Sequence, residues 1–291
     1  MEKVYRIRIF SSFGDSSKFK ETYERLCNSN EIVDYGIDKR IYITNGDDYT
    51  HVIIINTAMP VLPKHIPKQN VIGLAFEPPQ YLGLTLQFIE YATKNIGKYF
   101  IGQKYDLPEP FTEHFSYMWH NPPSLEIPRK TKKISLMISE KMHASGHKYR
   151  HELVKSILIS QLPIDIYGRG CQYYFNLGIT DSRLKGEFEE TEPYESYQYH
   201  ICIENFQTND YFSEKIVNSL LANTIPIYLG ARNIETYFPN MIIHLSLDIR
   251  TDMELLRNLC KMDNPEIIID IEKVKDTINL LKNIDTIFSF E

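Results

Sequence analysis

The stretch from Tyr199 to Gly230 constrains the fold of this chain more than any other part of the sequence. His200–Ile203 is an apolar run of strand length, and a polar loop follows it. Ser213 stands where a helix N-cap belongs, and the next residues carry an apolar stripe at helical spacing, namely Ile216, Val217, Leu220 and Leu221. Ile225–Leu229 then predicts a second buried strand. The pattern predicts a βαβ unit, which places ligands at the carboxyl ends of its strands.

Lys215 is the unusual residue of this unit because it falls in the first turn of the predicted helix. The N-terminal end of a helix carries partial positive charge, so Glu214 suits that end and a lysine does not. A helix N-terminus combined with a lysine is one of the standard ways to hold a diphosphate. Lys215 is therefore a candidate for binding an anion.

Short apolar runs elsewhere alternate with helical patterns and predict an α/β fold of two halves. The predicted strands are Val4–Phe10, Arg40–Thr44, Thr50–Asn56, Val71–Phe76 and Lys98–Ile101, then Lys133–Ile138, Ile164–Tyr167 and Met241–Leu245. Residues 106–131 interrupt the pattern with clustered prolines and the only tryptophan, Trp119. We therefore predict an N-terminal domain over 1–125 and a C-terminal domain over 126–291.

The composition is that of a soluble globular protein, with 43% hydrophobic and 24% charged residues. A net charge of −6 argues against a sequence-independent nucleic-acid binder but leaves room for a local basic pocket. The four cysteines are scattered without a CxxC pair, which disfavours a disulfide framework or a zinc site. With no signal peptide and no membrane-spanning run, we expect a cytoplasmic location.

Two further candidate site residues, Glu77 and Arg169, follow predicted strands of a parallel sheet. Glu77 ends an apolar strand ahead of Pro78 and Pro79, a position suited to a general base, although a strand-end glutamate that merely reaches water is favoured on spacing alone. Arg169 stands between two glycines after another strand, where backbone and guanidinium could approach a phosphate. A surface turn explains Arg169 equally well, and the third glycine of the dinucleotide fingerprint is missing.

The sequence predicts no metal site. His147 and His151 have zinc-ligand spacing, but the second histidine of HExxH is missing, so we expect both to be surface or salt-bridged residues. Asp47–Asp48 and Asp270–Glu272 do not follow a strand beside a nucleotide site. A DxD-type metal clamp is therefore not supported.

Three parts of the central stretch together resemble the donor-site signature of family 10 glycosyltransferases, the α1,3/α1,4-fucosyltransferases. They are Ile203-Glu204-Asn205, Asp210–Ile216 and Asn223–Gly230, which follow the pattern FEN…DYxTEK…xPxxxG. Ile203 replaces phenylalanine and Ser213 replaces threonine. The resemblance continues more weakly into Tyr167-Gly168-Arg169 and covers most of residues 133–250.

The resemblance implies a GT-B fold, in which two Rossmann-like domains face each other across a cleft. The C-terminal domain would bind a nucleotide sugar, typically GDP-fucose, and the N-terminal domain would bind an oligosaccharide or glycoconjugate acceptor. Transfer would proceed with inversion in a single displacement, with no obligatory metal or other cofactor.

The resemblance also implies roles for individual residues. Lys215 and Arg169 would hold the diphosphate, and Glu77 would deprotonate the acceptor hydroxyl. The residues that would contact the ribose or sugar of the donor are Asn205, Tyr211 and Glu214. Arg183 or Lys185, in the charged segment 181–197, could add a further phosphate contact.

Two alternatives remain open. The same fold could use another GDP- or UDP-linked sugar, because phosphate contacts are common to all nucleotide diphosphates. The chain could also be a non-catalytic glycan- or nucleotide-binding protein, although the retained Glu214-Lys215 pair argues against a decayed site.

Overall fold

The structure, a computed structural model, describes residues 3–27, 31–124, 126–262 and 266–290. Its contacts divide the chain into two compact units. The N-terminal unit comprises Met1–Pro122, Thr208–Tyr211 and Asp276–Glu291, and the C-terminal unit comprises Pro123–Gln207 and Phe212–Lys275. Leu125, the last residue of the predicted N-terminal domain, lies outside the described residues.

The N-terminal unit is built on a parallel sheet with strand order β2-β1-β3-β4-β5-β6. Its strands are β1 (Tyr5–Ser11), β2 (Ile41–Ile43), β3 (His51–Ile55), β4 (Val71–Leu74), β5 (Lys98–Ile101) and β6 (Phe111–Glu113). The chain moves to one side of β1 to form β2 and to the other side to form β3. This reversal makes the edge beyond β1 and β3 the switch point of the sheet, where α/β proteins bind ligands.

The C-terminal unit is built on a second parallel sheet, with strand order β12-β11-β10-β7-β8-β9. Its strands are β7 (Lys132–Met137), β8 (Ile164–Tyr167), β9 (Leu184–Gly186), β10 (Tyr197–Ile203), β11 (Ile225–Leu229) and β12 (Ile243–His244). When β7 to β12 are renumbered 1 to 6, this strand order is the 3-2-1-4-5-6 order of dinucleotide-binding folds. The switch point lies between β7 and β10.

Helices connect most of these strands. They are α1 (Phe19–Leu26), α2 (Leu86–Asn95), α3 (Ser145–Ser160), α4 (Cys171–Asn176), α5 (Glu192–Glu195), α6 (Glu214–Leu221), α7 (Ile249–Lys261), α8 (Ile271–Ile278) and α9 (Ile284–Ile287). Within the described ranges, no helix combines the length and the apolar character needed to cross a membrane.

The central strands are buried on both faces, as their continuous apolar sequences predict. All residues of β3, β4 and β11 are buried. In the N-terminal sheet, Gly73 leaves room for the ring of Tyr99, which would stand 1.9 Å from a Cβ at that position. The hydroxyl of Tyr99 donates a hydrogen bond of 2.8 Å to the carbonyl of Asn56, which satisfies that buried polar group.

The predicted βαβ unit is present as β10, α6 and β11. The hydroxyl of Ser213 caps α6 by accepting a hydrogen bond of 3.4 Å from the backbone N–H of Lys215. The residues of the predicted apolar stripe are all buried. Asn223 follows the helix in the left-handed conformation, with φ of 52°, which asparagine tolerates better than most residues.

The structure differs from the sequence prediction in three segments. The regions predicted to be irregular contain β6, β9 and α5, which are short elements held by tertiary pairing rather than by their own pattern. Residues 276–291, predicted to belong to the C-terminal domain, group with the N-terminal unit. There Asp285 accepts a hydrogen bond of 2.7 Å from the hydroxyl of Tyr5 and pairs with Arg40 at 2.8 Å.

Buried histidines should make this protein lose stability in mild acid. Burial lowers the pKa of His200 to about 3 and the pKa of His51, His120 and His147 to about 4, from an ordinary value of 6.5. Below pH 6.5 these histidines bind protons in the unfolded chain but stay neutral in the folded protein. The free energy of unfolding therefore has its full value above pH 6.5 and decreases as the pH falls towards 4.

At pH 5, each of these histidines should therefore lower the free energy of unfolding by on the order of 1–2 kcal/mol relative to its value at pH 7.5. Chemical denaturation at pH 7.5 and at pH 5 measures this loss. Equal free energies of unfolding at the two values would contradict the assignment of neutral buried rings.

Candidate functional site

A cavity of about 340 Å³ lies at the switch point of the C-terminal sheet. Its walls come from the ends of β7, β8 and β10, from α3 and from the first turn of α6. The lining residues that carry polar groups include Ser139, Arg150, Arg169, Glu214 and Lys215. The cavity therefore occupies the position at which the βαβ pattern predicts a ligand.

Glu204, directly after β10, holds one side of this site together. Its side chain is fully buried, and its carboxylate accepts hydrogen bonds from the backbone N–H of Ser213 at 2.8 Å and from the Ser213 hydroxyl at 2.8 and 2.9 Å. Lys215 Nζ lies 3.4 Å from the same carboxylate. A buried carboxylate needs such partners, so Glu204 fixes where α6 begins.

Lys215 is held by three neighbours at the entrance to α6. Its Nζ donates to the Ser213 hydroxyl at 2.8 Å and also pairs with Glu214 at 3.3 Å. Burial works to lower the pKa of Lys215, but the carboxylates of Glu214 and Glu204 outweigh it and raise that pKa above its usual value. Lys215 is therefore a permanent cation, and these carboxylates offset its unfavourable position on the helix dipole.

Arg150 on α3 is a second cation of the cavity, and the sequence analysis missed it. Its side chain is buried, and one guanidinium nitrogen donates a hydrogen bond of 2.7 Å to the side-chain oxygen of Asn205. The positive charge of Arg150 also acts on Lys215, where it opposes the rise in pKa. The sequence does contain a signal for a buried Arg150, because this residue falls on the apolar stripe that continues through Leu153, Val154 and Ile157.

Close packing of α3 against the end of β10 brings Arg150 into place. The backbone N–H of Gly146 donates a hydrogen bond of 3.0 Å to the carbonyl of Asn205. A Cβ on Gly146 would lie 1.8 Å from the carbonyl oxygen of Glu204. Only glycine permits this approach, so Gly146 sets the distance between α3 and the Glu204–Asn205 segment.

Arg169 also borders the cavity, but it is a more exposed group than Arg150. Its side chain is 67% exposed, and its Nε lies 3.5 Å from Glu140. A second cavity, of about 540 Å³, adjoins it on the side of α4 and β9.

The glycines on either side of Arg169 have a packing role that the sequence did not predict. A Cβ on Gly168 would lie 2.2 Å from the carbonyl oxygen of Ile138, and a Cβ on Gly170 would lie 2.6 Å from that of Ser139. The two glycines therefore allow the loop after β8 to pack against the chain that follows β7, and Gly168 also lines the cavity.

Arg183 and Lys185 are not brought to the cavity. The guanidinium of Arg183 donates to the carbonyls of Ile157, Leu158 and Leu162 at 2.8–2.9 Å and pairs with Asp181. It thus satisfies two carbonyl groups in the last turn of α3 and one just after the helix. Lys185 pairs with Asp165 at 3.4 Å and donates to the carbonyl of Ser182 at 2.8 Å.

His147 and His151 are buried, which corrects the prediction that they are surface residues. His147 Nδ1 accepts a hydrogen bond of 3.2 Å from the backbone N–H of Ala144 at the start of α3. His151 shares hydrogen bonds with the hydroxyl of Tyr174 at 3.1 Å and the carbonyl of Ser139 at 3.0 Å. Across the described part of the chain, no cluster of three or more potential ligands is arranged to hold a metal ion.

Two predicted site residues belong to the N-terminal unit. Glu77 lies just beyond β4, partly exposed, between the buried Phe76 and Pro78. Tyr211 is buried, and its Cβ would lie 2.9 Å from a Cβ on Gly102, the residue after β5. The remaining predicted residues, Asn205 and Glu214, belong to the C-terminal unit together with Lys215 and Arg169.

Residues 127–266 match the family model "Glycosyltransferase family 10 (fucosyltransferase) C-term". Over 148 residues the chain is 31% identical to 4-galactosyl-N-acetylglucosaminide 3-alpha-L-fucosyltransferase 9 of Bos taurus, an alignment that covers 49% of this chain and 36% of the relative. A fucosyltransferase-like protein of Arabidopsis thaliana is 25% identical over 112 residues, which are 38% of this chain and 20% of that protein. The chain thus spans about a third or less of the length of these relatives.

Solved structures match over nearly the whole chain. An alpha1,3-fucosyltransferase with GDP aligns with a TM-score of 0.50 at 12% identity and covers 98% of this chain and 92% of that one. An alpha-glucosyltransferase in complex with UDP-glucose and DNA aligns with a TM-score of 0.55 at 10% identity, over 96% of this chain and 95% of the other. At such identities the likeness concerns the fold. The predicted α/β fold of the GT-B type, with two Rossmann-like domains, is confirmed.

Replacing Gly146 with alanine should destabilise the protein. Alanine favours a helix over glycine by about 1 kcal/mol, but the added methyl group would collide with the carbonyl of Glu204. We expect a net loss of about 1–3 kcal/mol in the free energy of unfolding. Chemical denaturation measures it, and Lys155→Ala, at an exposed position of α3, is the matched control that should keep the wild-type value. A stabilised Gly146→Ala variant would refute the close packing of α3.

Proposed function

We propose, from the premise that residues 127–266 are a family 10 glycosyltransferase domain, that this chain transfers L-fucose from GDP-fucose to a glycan hydroxyl with inversion. One observation carries the proposal. Two buried or partly buried cations, Lys215 and Arg150, meet the N-terminus of α6 in a cavity within that domain. This combination of two cations with a helix N-terminus suits the diphosphate of a nucleotide sugar.

The chemistry of sugar transfer explains why such a site is useful. As the bond between the sugar and the diphosphate breaks, negative charge builds on the departing phosphate while the sugar becomes oxocarbenium-like. Cations held in place before the reaction stabilise that charge without the cost of reorganising solvent. We propose that Lys215 and Arg150 act on the diphosphate, and that Asn205 orients Arg150 through their hydrogen bond of 2.7 Å.

Other residues have supporting roles in this proposal. Glu214 lines the cavity with a partly exposed carboxylate, which suits acceptance of hydrogen bonds from donor hydroxyl groups. Arg169 is exposed enough to turn towards a phosphate that enters the cavity. Arg183 and Lys185 have no part in it, because both are engaged away from the cavity walls.

Glu77 is the proposed general base. Its carboxylate stands at the carboxyl end of a central strand, and the two prolines after it stiffen the backbone that presents it. A base positioned in this way contributes about 10²–10⁴-fold to a rate. The name of the Bos taurus relative specifies a galactosyl-N-acetylglucosaminide acceptor, so we propose a related glycan here.

The proposed mechanism assigns no step to a metal ion or another cofactor, since protein cations meet the charge of the leaving group. Fucosyl transfer should therefore persist in excess EDTA. Activity that depends on added divalent metal would overturn this part of the proposal.

Replacing Lys215 with alanine should weaken GDP binding about 10- to 100-fold, since it removes a charge-assisted hydrogen bond. Isothermal titration calorimetry measures the dissociation constant. Lys185→Ala is the matched control, because Lys185 is a lysine of the same unit that pairs outside the cavity. Equal losses in both variants would contradict the assignment.

The same titration separates the donors, because wild-type protein should bind GDP more tightly than UDP. Binding of UDP alone would instead favour a transferase that uses a UDP-linked sugar.

Replacing Glu77 with glutamine should leave the dissociation constant for GDP unchanged and lower the turnover of GDP-fucose about 10²–10⁴-fold. The amide keeps the size of the side chain but cannot accept the proton. Release of GDP in the presence of acceptor measures turnover. A Glu77→Gln variant with wild-type turnover would remove Glu77 from the base role, and wild-type protein that binds GDP without turning over any sugar donor would favour the non-catalytic alternative.

A further inference from the structure

The N-terminal unit contains an aromatic cluster that reaches from the core to the surface, since Phe19 and Phe76 are buried, Trp119 is partly exposed and Phe13 is exposed. The ring of Phe13 lies 5.7 Å from that of Trp119, 5.9 Å from Phe19 and 6.3 Å from Phe76, measured between centroids. Trp119 in turn lies 5.5 Å from Phe19 and 5.2 Å from Phe76. We call these four residues, Phe13, Phe19, Phe76 and Trp119, the aromatic platform.

The platform stands at the switch point of the N-terminal sheet. Phe13 follows β1, one of the two strands between which the strand order reverses. Phe76 follows β4 and immediately precedes Glu77. The platform therefore lies at the edge where α/β sheets bind ligands and shares a loop with the proposed base.

Phe13 is exposed although its loop is held in place. The side chain is 52% exposed. Ser12 Oγ accepts a hydrogen bond of 3.2 Å from the backbone N–H of Thr57, and Ser11 Oγ accepts one of 3.3 Å from the N–H of Phe13 itself. Asp15 accepts from the N–H of Ser17 at 2.9 Å and fixes the next turn. Phe13 and the partly exposed Trp119 thus present two neighbouring aromatic rings to solvent.

Trp119 supplies a polar group to the same surface. Its side chain is partly exposed, and its indole N–H has no hydrogen-bond partner among the residues that the structure describes. An aromatic face combined with an available N–H donor matches a ligand that is apolar on one face and carries hydroxyl groups at its rim.

We propose that the aromatic platform binds a pyranose ring of the acceptor glycan and so positions its hydroxyl for Glu77. Pyranoses of the galactose and N-acetylglucosamine type present contiguous C–H groups on one face, which are attracted to the negative face of an aromatic ring. The indole N–H of Trp119 donates to a hydroxyl at the rim of that sugar. This inference rests on the proposed function, because it takes Glu77 as the base.

A nucleobase also stacks on aromatic rings. The observations favour the sugar, since the platform adjoins the proposed base and the paired cations suited to a diphosphate belong to the other unit.

The only tryptophan of the chain, Trp119, allows a direct test by intrinsic fluorescence. Titration with 4-galactosyl-N-acetylglucosamine should produce a saturable change in emission. Phe13→Ala should raise the dissociation constant from this titration about tenfold, since stacking on an aromatic ring is lost. Phe13→Tyr should keep the wild-type dissociation constant. So should Val61→Ala, which removes a fully exposed apolar side chain from the same unit.

The opposite outcome would be a change in Trp119 emission that GDP produces and Phe13→Ala abolishes, with no response to the disaccharide. That result would overturn the proposal in favour of a base-stacking site.

Kinetics separates this inference from the proposed function. With GDP-fucose as donor, Phe13→Ala should raise KM for the disaccharide about tenfold and leave KM for GDP-fucose unchanged. If wild-type protein transfers fucose but Phe13→Ala has the wild-type acceptor KM, the platform is refuted and the proposed function stands. If no fucose is transferred but the disaccharide still changes Trp119 emission in a Phe13-dependent manner, the platform stands and the proposed activity fails.

Discussion

The cavity of the C-terminal unit depends on one buried carboxylate, that of Glu204. Because this side chain is cut off from solvent, its charge must be met by protein groups, and Ser213 and Lys215 meet it from the first turn of α6. Two glycines make room around it. A Cβ on Gly230 would lie 2.6 Å from Glu204 Cγ, and one on Gly146 would meet its carbonyl oxygen. The starts of α3 and α6 and the ends of β10 and β11 are therefore positioned by a single residue.

The sequence predicted those parts of the fold whose pattern is local. The strands β8 and β11 and the start of α6 appear at the predicted residues, since apolar runs and an N-cap are read directly from neighbouring positions. The strands β6 and β9 were missed because their sequences, FTE and LKG, contain no apolar run and each strand exists through pairing with a neighbour. The placement of residues 276–291 depends on contacts such as Tyr5 with Asp285, which no local pattern encodes.

The site was predictable to a similar extent. Lys215 could be singled out because its charge conflicts with the helix dipole, and the structure places it in the cavity wall. Arg150 carries a comparable signal, since it places a charge on an otherwise apolar stripe of α3. Arg183 showed the opposite failure. The resemblance suggested a phosphate contact for Arg183, whereas its guanidinium binds carbonyl groups at and just after the end of α3, a contact between segments more than twenty residues apart.

The pairing of Lys215 with two carboxylates has a consequence for selectivity. Lys215 and Arg150 carry two positive charges, and Glu204 and Glu214, the carboxylates that pair with Lys215, carry two negative ones, so the formal charges of these four residues cancel. A small anion such as inorganic phosphate must compete with those carboxylates for the lysine and gains little from doing so. Under the proposed function, a nucleotide sugar would offset this competition through contacts of its base, ribose and sugar. The internal ion pairs would then select against small anions at this cavity.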